Sequence, residues 1–304
     1  VDKFFLNNQD LTQWGLKPGV IEGCNIALSG AWDMPERTGT THFQWPDDDG
    51  VEPYLRADEI FFAGRDLYYS FLLEAETKEA ALRKSYVLFD AISGFNGLVL
   101  FRSDDFGTFN VYVKDQIKVD YLGHGWCKGV IPFREPEADL SGVIPTPDYI
   151  YPGIDNISFA KLGVILSDSV GEFNRPDTLN GAFTAYGHEG YQVTKPAFRQ
   201  IKLSFLINQP SYEAFNNIIK TMYALFSKPN ARTLVLENVT REVFAKDGFK
   251  VTGVQRVGAG YFGKLDIELS EIRVLETWNL LTDASGLILT DASGVPLTEI
   301  LKMS

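Results

Sequence analysis

Arg65-Asp66-Leu67-Tyr68-Tyr69-Ser70-Phe71-Leu72-Leu73 and Arg199-Gln200-Ile201-Lys202-Leu203-Ser204-Phe205-Leu206-Ile207 read as two versions of one segment. Each opens on arginine and places Ser-Phe-Leu at the same point, 134 positions apart (199 − 65). In the later version Ile201, Leu203 and Phe205 alternate with Gln200, Lys202 and Ser204, which is the period of a strand with one buried face.

Other blocks keep the same order. Leu98-Val99-Leu100 matches Leu234-Val235-Leu236 at an offset of 136 (234 − 98). Tyr112-Val113-Lys114-Asp115-Gln116-Ile117-Lys118-Val119 matches Phe244-Ala245-Lys246-Asp247-Gly248-Phe249-Lys250-Val251 at 132 (244 − 112). Near the start, Leu11-x-x-x-Gly15-Leu16 echoes Phe159-x-x-x-Gly163-Val164. Matching blocks in one order at nearly constant offset imply an internal duplication. The first half carries extra material around Ala31–Tyr54, including the loop-like run Trp45-Pro46-Asp47-Asp48-Asp49-Gly50, which lacks the ligand spacing of a calcium loop.

After each strand comes a helix. In Ser211–Phe226 the residues Tyr212, Phe215, Ile219, Met222 and Phe226 fall three or four apart and form one apolar stripe, with Ser211 as N-cap. In the first copy Lys78–Ile92 puts Leu82, Phe89 and Ile92 at comparable places. A turn with Gly97 or Pro229 leads to the next strand, and two or three more strands complete the unit. The expected fold class is mainly β with one helix per repeat (α+β), as two tandem β-sandwich or barrel domains. The expected first domain is 1–134. A Pro- and Gly-rich linker, 135–154, separates it from a second domain at 155–276.

Residues 277–304 form a C-terminal β-type arm. Leu281-Thr282-Asp283-Ala284-Ser285-Gly286 recurs eight positions on (289 − 281) as Leu289-Thr290-Asp291-Ala292-Ser293-Gly294, and a broken copy starts at Leu297. Each unit reads as a short apolar strand plus an Asp/Ser/Gly turn. Leu281, Leu289 and Leu297 are the candidate partner-docking residues, through strand addition to a neighbour's edge.

Composition narrows the function classes. The chain has 304 residues, 45% hydrophobic and 22% charged, enough for two globular cores. With 28 Lys and Arg against 40 Asp and Glu the net charge is −12. That disfavours gripping nucleic-acid phosphates, while suiting solubility or a surface that DNA slides past. Cys24 and Cys127 form no CxxC or Cys/His cluster and imply no disulfide framework. The N-terminus lacks a signal-peptide pattern, and no run of about 18 apolar residues suggests a membrane span.

No catalytic, cofactor-binding or metal residues are expected, and the chain is not read as an enzyme. Gly258-Ala259-Gly260-Tyr261-Phe262-Gly263 matches GxGxxG, but Lys264-Leu265-Asp266-Ile267-Glu268-Leu269 then alternates like a strand where a dinucleotide site needs a helix. The glycines therefore read as a hairpin loop. His42, His124 and His188 belong to no metal motif, and GxSxG is absent. Aromatics such as Phe71, Phe205 and Phe226 sit at core positions.

The second repeat resembles the tail-tube fold shared by phage tail tubes, distal tail proteins and baseplate hub proteins. The likeness lies in the order strand (Arg199–Asn208), helix (Ser211–Phe226), turn with Pro229, strand Thr233–Leu236, and a hairpin through Phe249-Lys250-Val251 and Gly263–Ile272. The resemblance implies two tail-tube-like domains that associate edge to edge into a homo-oligomeric ring of three or six chains. It implies other tail proteins as partners and DNA only as passing cargo in a channel. It places the protein in the virion tail, made in the bacterial host cytoplasm, as a structural tail-tip component (distal tail or baseplate hub) joining the tube to tip proteins. Hub proteins carry two tube-like domains per chain; distal tail proteins carry one plus a galectin-like domain. This chain departs from the second pattern by repeating itself, and from the first by lacking further domains. A tandem-domain tail tube protein stays open. So does a two-domain carbohydrate-binding protein, which would expose Trp or Tyr clusters.

Overall fold

A computed structural model describes residues 2–43, 51–174, 178–185, 188–196, 199–272, 278–280 and 298–300, with backbone alone for 178–196, 278–280 and 298–300. The first half holds β1 (Phe4–Leu6), β2 (Gln9–Asp10), a 3-10 turn (Leu11–Trp14), β3 (Leu16–Pro18), β4 (Leu28–Ser29), β5 (His42–Phe43), β6 (Glu52–Pro53) and β7 (Arg65–Glu74). It continues with α1 (Lys78–Ser93), β8 (Val99–Ser103), β9 (Gly107–Val113), β10 (Lys118–Gly123) and β11 (Trp126–Glu135). The second half holds β12 (Gly153–Ile154), β13 (Ile157–Ser158), β14 (Ile165–Val170), β15 (Thr178–Ala185), β16 (His188–Pro196) and β17 (Gln200–Gln209). It ends with α2 (Tyr212–Ser227), β18 (Arg232–Leu236), β19 (Val239–Ala245), β20 (Lys250–Val257) and β21 (Gly260–Glu271). Beyond it β22 (Trp278–Leu280) pairs with β23 (Thr298–Ile300).

The molecule is mainly β, with antiparallel sheets and few helices. One sheet runs β2-β1-β8-β9-β11-β7-β3, with β10 on β11 and β4 on β7. The other runs β13-β12-β18-β19-β21-β17-β14, with β20 on β21. The two orders correspond strand for strand, and so do their registers. Lys17 faces Leu72 as Ile165 faces Leu206. Val113 faces Phe133 as Ala245 faces Leu269. Lys118 faces Val130 as Lys250 faces Asp266.

One block match is out of register. Leu6 faces Phe101 while Ile154 faces Leu234, so Phe101, not Leu98, occupies Leu234's place. Leu98 lies before the strand and is exposed. Inward-facing positions set sheet register. Phe101 and Leu234 point inward, whereas the apolar triplets merely look alike. The extra material in the first half also has a counterpart. Both halves insert a hairpin ahead of the long strand, β5–β6 before β7 and β15–β16 before β17.

The helices start alike. Thr77 Oγ1 accepts from Ala80 N at 3.1 Å, and Ser211 Oγ accepts from Ala214 N at 3.2 Å. Their buried faces differ. α2 buries Phe215, Ile219, Met222, Tyr223, Leu225 and Phe226; α1 buries only Ala81, Ser85 and Leu88. Leu82, expected in the apolar stripe, is exposed, because small Ala81 and Ser85 face inward instead and leave Leu82 one step round the helix.

The stretch 135–154, read as a linker, starts with the last residue of β11 and ends with β12. Its middle lies along α2. Thr221 Oγ1 donates to Val143 O at 3.0 Å, and Lys220 Nζ lies 3.8 Å from Asp139 Oδ2. Among the described residues no helix is long and apolar enough to cross a membrane.

Candidate assembly surface

The feature that dominates the described residues is the junction between the halves. Gly30 ends the short β4 extension with φ +75°, and a Cβ there would overlap the carbonyl oxygen of Asp66. Only glycine lets the chain turn sharply away from β7 at this point. The turn delivers Trp32 to the second half, where it is buried. Its ring meets Phe215 at 6.0 Å and Tyr212 at 6.4 Å between centroids, with Phe106 at 5.8 Å behind it. Such edge-on aromatic contacts add to the area that they bury. The Tyr212 hydroxyl donates to Phe106 O at 3.0 Å, and burial pushes its pKa up to about 12.

Asp33 carries the polar side of the junction. Its Oδ1 accepts from Val251 N at 2.8 Å, and Lys250 Nζ lies 3.6 Å from Oδ2. Burial raises its pKa, against those two groups. Next to it Met34 N donates to Phe249 O at 2.9 Å. Gly248 permits this backbone approach, since a Cβ there would strike the Met34 carbonyl.

Arg65, the first residue of β7, ties the junction to the first sheet. Its Nε donates to Glu135 Oε2 at 2.6 Å and its Nη1 to the Tyr223 hydroxyl at 2.7 Å. That hydroxyl donates onward to Asp33 O at 3.2 Å. Arg65 and Glu135 are both buried. Burial raises the Glu135 pKa, with Arg65 opposing it, and raises that of the Tyr223 hydroxyl. The junction therefore joins two different surfaces, a loop of the first half and the α2–β20 face of the second. Chemically it is a recognition contact, aromatic at its centre with paired polar groups beside it.

The sequence-derived candidates lie elsewhere. Leu281, Leu289 and Leu297 fall outside the described residues, as does the run 45–50. His42 is in β5, His124 in the turn between β10 and β11, and His188 at the start of β16, so they sit on separate elements. Among the described residues no group of three or more His, Cys, Asp or Glu could hold a metal ion. Cys24 and Cys127 are free, and burial raises both thiols. Of the glycine run, read as a hairpin loop, only Gly258 and Ala259 make the β20–β21 turn, while Gly260 to Gly263 already lie in β21, with Val257 facing Gly260. Sequence reasoning missed Trp32, Asp33, Glu135 and Tyr223. A usable signal existed in Glu135 and Glu271, which close the equivalent strands β11 and β21.

No family model and no curated protein matches the chain. Among solved structures it is similar to the SPP1 Dit (gp 19.1) protein, titled a paradigm of the hub adsorption apparatus in phages infecting Gram-positive bacteria. The identity is 10%, the match covers 89% of this chain and 98% of that one, and the TM-score is 0.35. A likeness this loose transfers neither residues nor assembly.

Proposed function

We propose that the chain is a structural, ring-forming component of a phage-type tail, placed at the tail tip as a distal tail or baseplate hub element that joins the tube to tip proteins. One observation carries this reading: two sheets of the same strand order and register, each with one capped helix, sit in one chain and meet through unlike surfaces. A repeated unit joined head to tail is the covalent form of the contact that builds cyclic oligomers. The strand–helix–hairpin plan of each unit is the plan by which the sequence resembles tail-tube proteins. The net charge of −12 suits a channel that DNA traverses without adhering. In this reading the chain divides into two tube-like domains on either side of 135–154. The arm, 277–304, docks on a neighbouring tail protein through Leu281, Leu289 and Leu297.

Negative-stain imaging of the purified protein tests the reading. Closed rings are expected, pseudo-six-fold if three chains assemble and larger if six do. Monomers at every concentration, together with binding to a glycan array, would replace it with the carbohydrate-binding alternative.

A further inference from the structure

We propose that the junction inside the chain is repeated between chains, with Phe173 of one copy seated on the α1–β10 face of a second copy. The proposal rests on the ring-forming part of the proposed function, and it names the surfaces.

The donor side has a second version. Gly171 stands to Gln200 as Gly30 stands to Asp66: φ is +98°, and a Cβ would overlap the Gln200 carbonyl. Gln200 is the position equivalent to Asp66 in the long strand, 134 residues on (200 − 66). Two residues past each glycine comes an aromatic, Trp32 in the first half and Phe173 in the second. Trp32 is 2% exposed and Phe173 is 71% exposed. The first hook is seated, and the second has no seat among the described residues.

The receiving side also has a second version. On α2 and β20 the first half covers Tyr223, Phe249, Val251 and Val254, all at most 4% exposed. The N-caps Thr77 and Ser211 and the β10/β20 register put Phe89, Ile117, Val119 and Leu122 at those places in the first half. The first three are partly exposed and Leu122 is 60% exposed. Leu82 and Tyr86 are exposed beside Phe89 at spacings of four and three, so the three share one helix face. An apolar face of this kind on a folded chain marks an interaction site.

Among the described residues each side of the junction is thus satisfied once and left over once, in opposite halves of the chain. A second copy offers the missing surface in both directions, so the occupant is this chain itself. Joined through unlike surfaces, copies add in one direction until the ring closes. The contact between copies is the more apolar one. Phe89 replaces Tyr223 and lacks the hydroxyl that Arg65 donates to, and Arg199 instead donates to Glu172 O within its own half. Gln116 also replaces Gly248, so the repeated contact centres on the helix and not on the strand backbone.

The test measures mass in solution by sedimentation velocity for the wild type, Phe173→Glu and Leu82→Glu. Both altered side chains are exposed, so far-UV circular dichroism and the melting temperature should stay unchanged. A second arm pairs Phe173→Cys with Lys78→Cys in a Cys24→Ser background, because Lys78 occupies the place of Tyr212, which Trp32 touches. The expected result is an oligomeric wild type, monomeric glutamate variants, and a disulfide-linked ladder from the double-cysteine chain alone. Oligomers that persist in both glutamate variants without a ladder would overturn the proposal and leave the ring reading standing on another interface. A wild type that stays monomeric and unlinked would overturn both.

Discussion

Arg65 and Glu135 face each other across β7 and β11, and Arg199, just before β17, repeats the pair with Glu271 at the end of β21, at 3.5 Å. Both pairs are buried, which makes each partner costly to remove singly. Glu135→Gln should destabilise by about 3–5 kcal/mol because the Arg65 charge stays buried. An apolar double replacement, Arg65→Met with Glu135→Leu, should cost less than the single change. Urea midpoints decide it, and a fully additive double variant would contradict the coupling. Asp66 gives a pH dependence. Partial burial alone would raise its pKa, but hydrogen bonds from Lys114 and Arg134, both 2.7 Å, outweigh this and hold it below the usual carboxylate range. Its contribution is therefore present above the unfolded-state pKa of about 3.9 and is lost as pH falls through the lowered folded value. The melting-temperature gap between wild type and Asp66→Asn should narrow on acidification; a gap independent of pH would contradict this. Of these residues, Arg65 and Arg199 were legible as matched letters. Glu135 and Glu271 offered a signal as matched strand ends, but their pairing with the arginines was not legible, because a pair 70 positions apart (135 − 65) exists only once the strands are adjacent.

The long strands, the helices and the glycine hairpin were readable as elements because each announces itself locally: alternation in Gln200–Gln209, a capping serine before Tyr212–Ser227, glycines at a strand turn. Where reading failed, the deciding force was tertiary. Leu98 looks like Leu234, yet the β1–β8 pairing selects Phe101. Leu82 has helical spacing to Phe89, yet packing selects Ala81 and Ser85. Caps and faces give separate expectations. Thr77→Ala and Ser211→Ala should each cost about 1 kcal/mol. Phe215→Ala should cost about 3–5 kcal/mol, since its ring packs under Trp32 and Tyr261. Leu82→Ala should change monomer stability by under about 0.5 kcal/mol. Chemical denaturation checks all four, and a large loss for Leu82→Ala would mean that α1 is covered within its own chain.

At the scale of the whole molecule, the Trp32 hook is the aromatic centre of a wider contact between the halves that also includes Asn25 with Arg256 and Val51 N with Ile272 O. Trp32→Ala should cost about 3–5 kcal/mol and, beyond the cavity, separate the melting of the two halves. Calorimetry would show this as a second transition. A single sharp transition would place the coupling in the strand contacts at Gly248 instead. Blocks of matching residues pointed to a twofold plan, and the two sheets share one strand order. The docking of one half on the other was not legible, because it depends on close backbone approaches at Gly30 and Gly248, two glycines that no local pattern distinguishes from loop residues.

In the proposed assembly one contact serves both within and between copies of this chain. A cryo-electron microscopy reconstruction of the assembled particle tests it most directly. The rotation relating the first sheet to the second is expected to recur from the second sheet to the first sheet of the next copy, with Phe173 against Lys78 and Ala81, the counterparts of the Tyr212 and Phe215 that Trp32 meets. A particle whose copies meet through any other surface, with Phe173 in solvent, would contradict it.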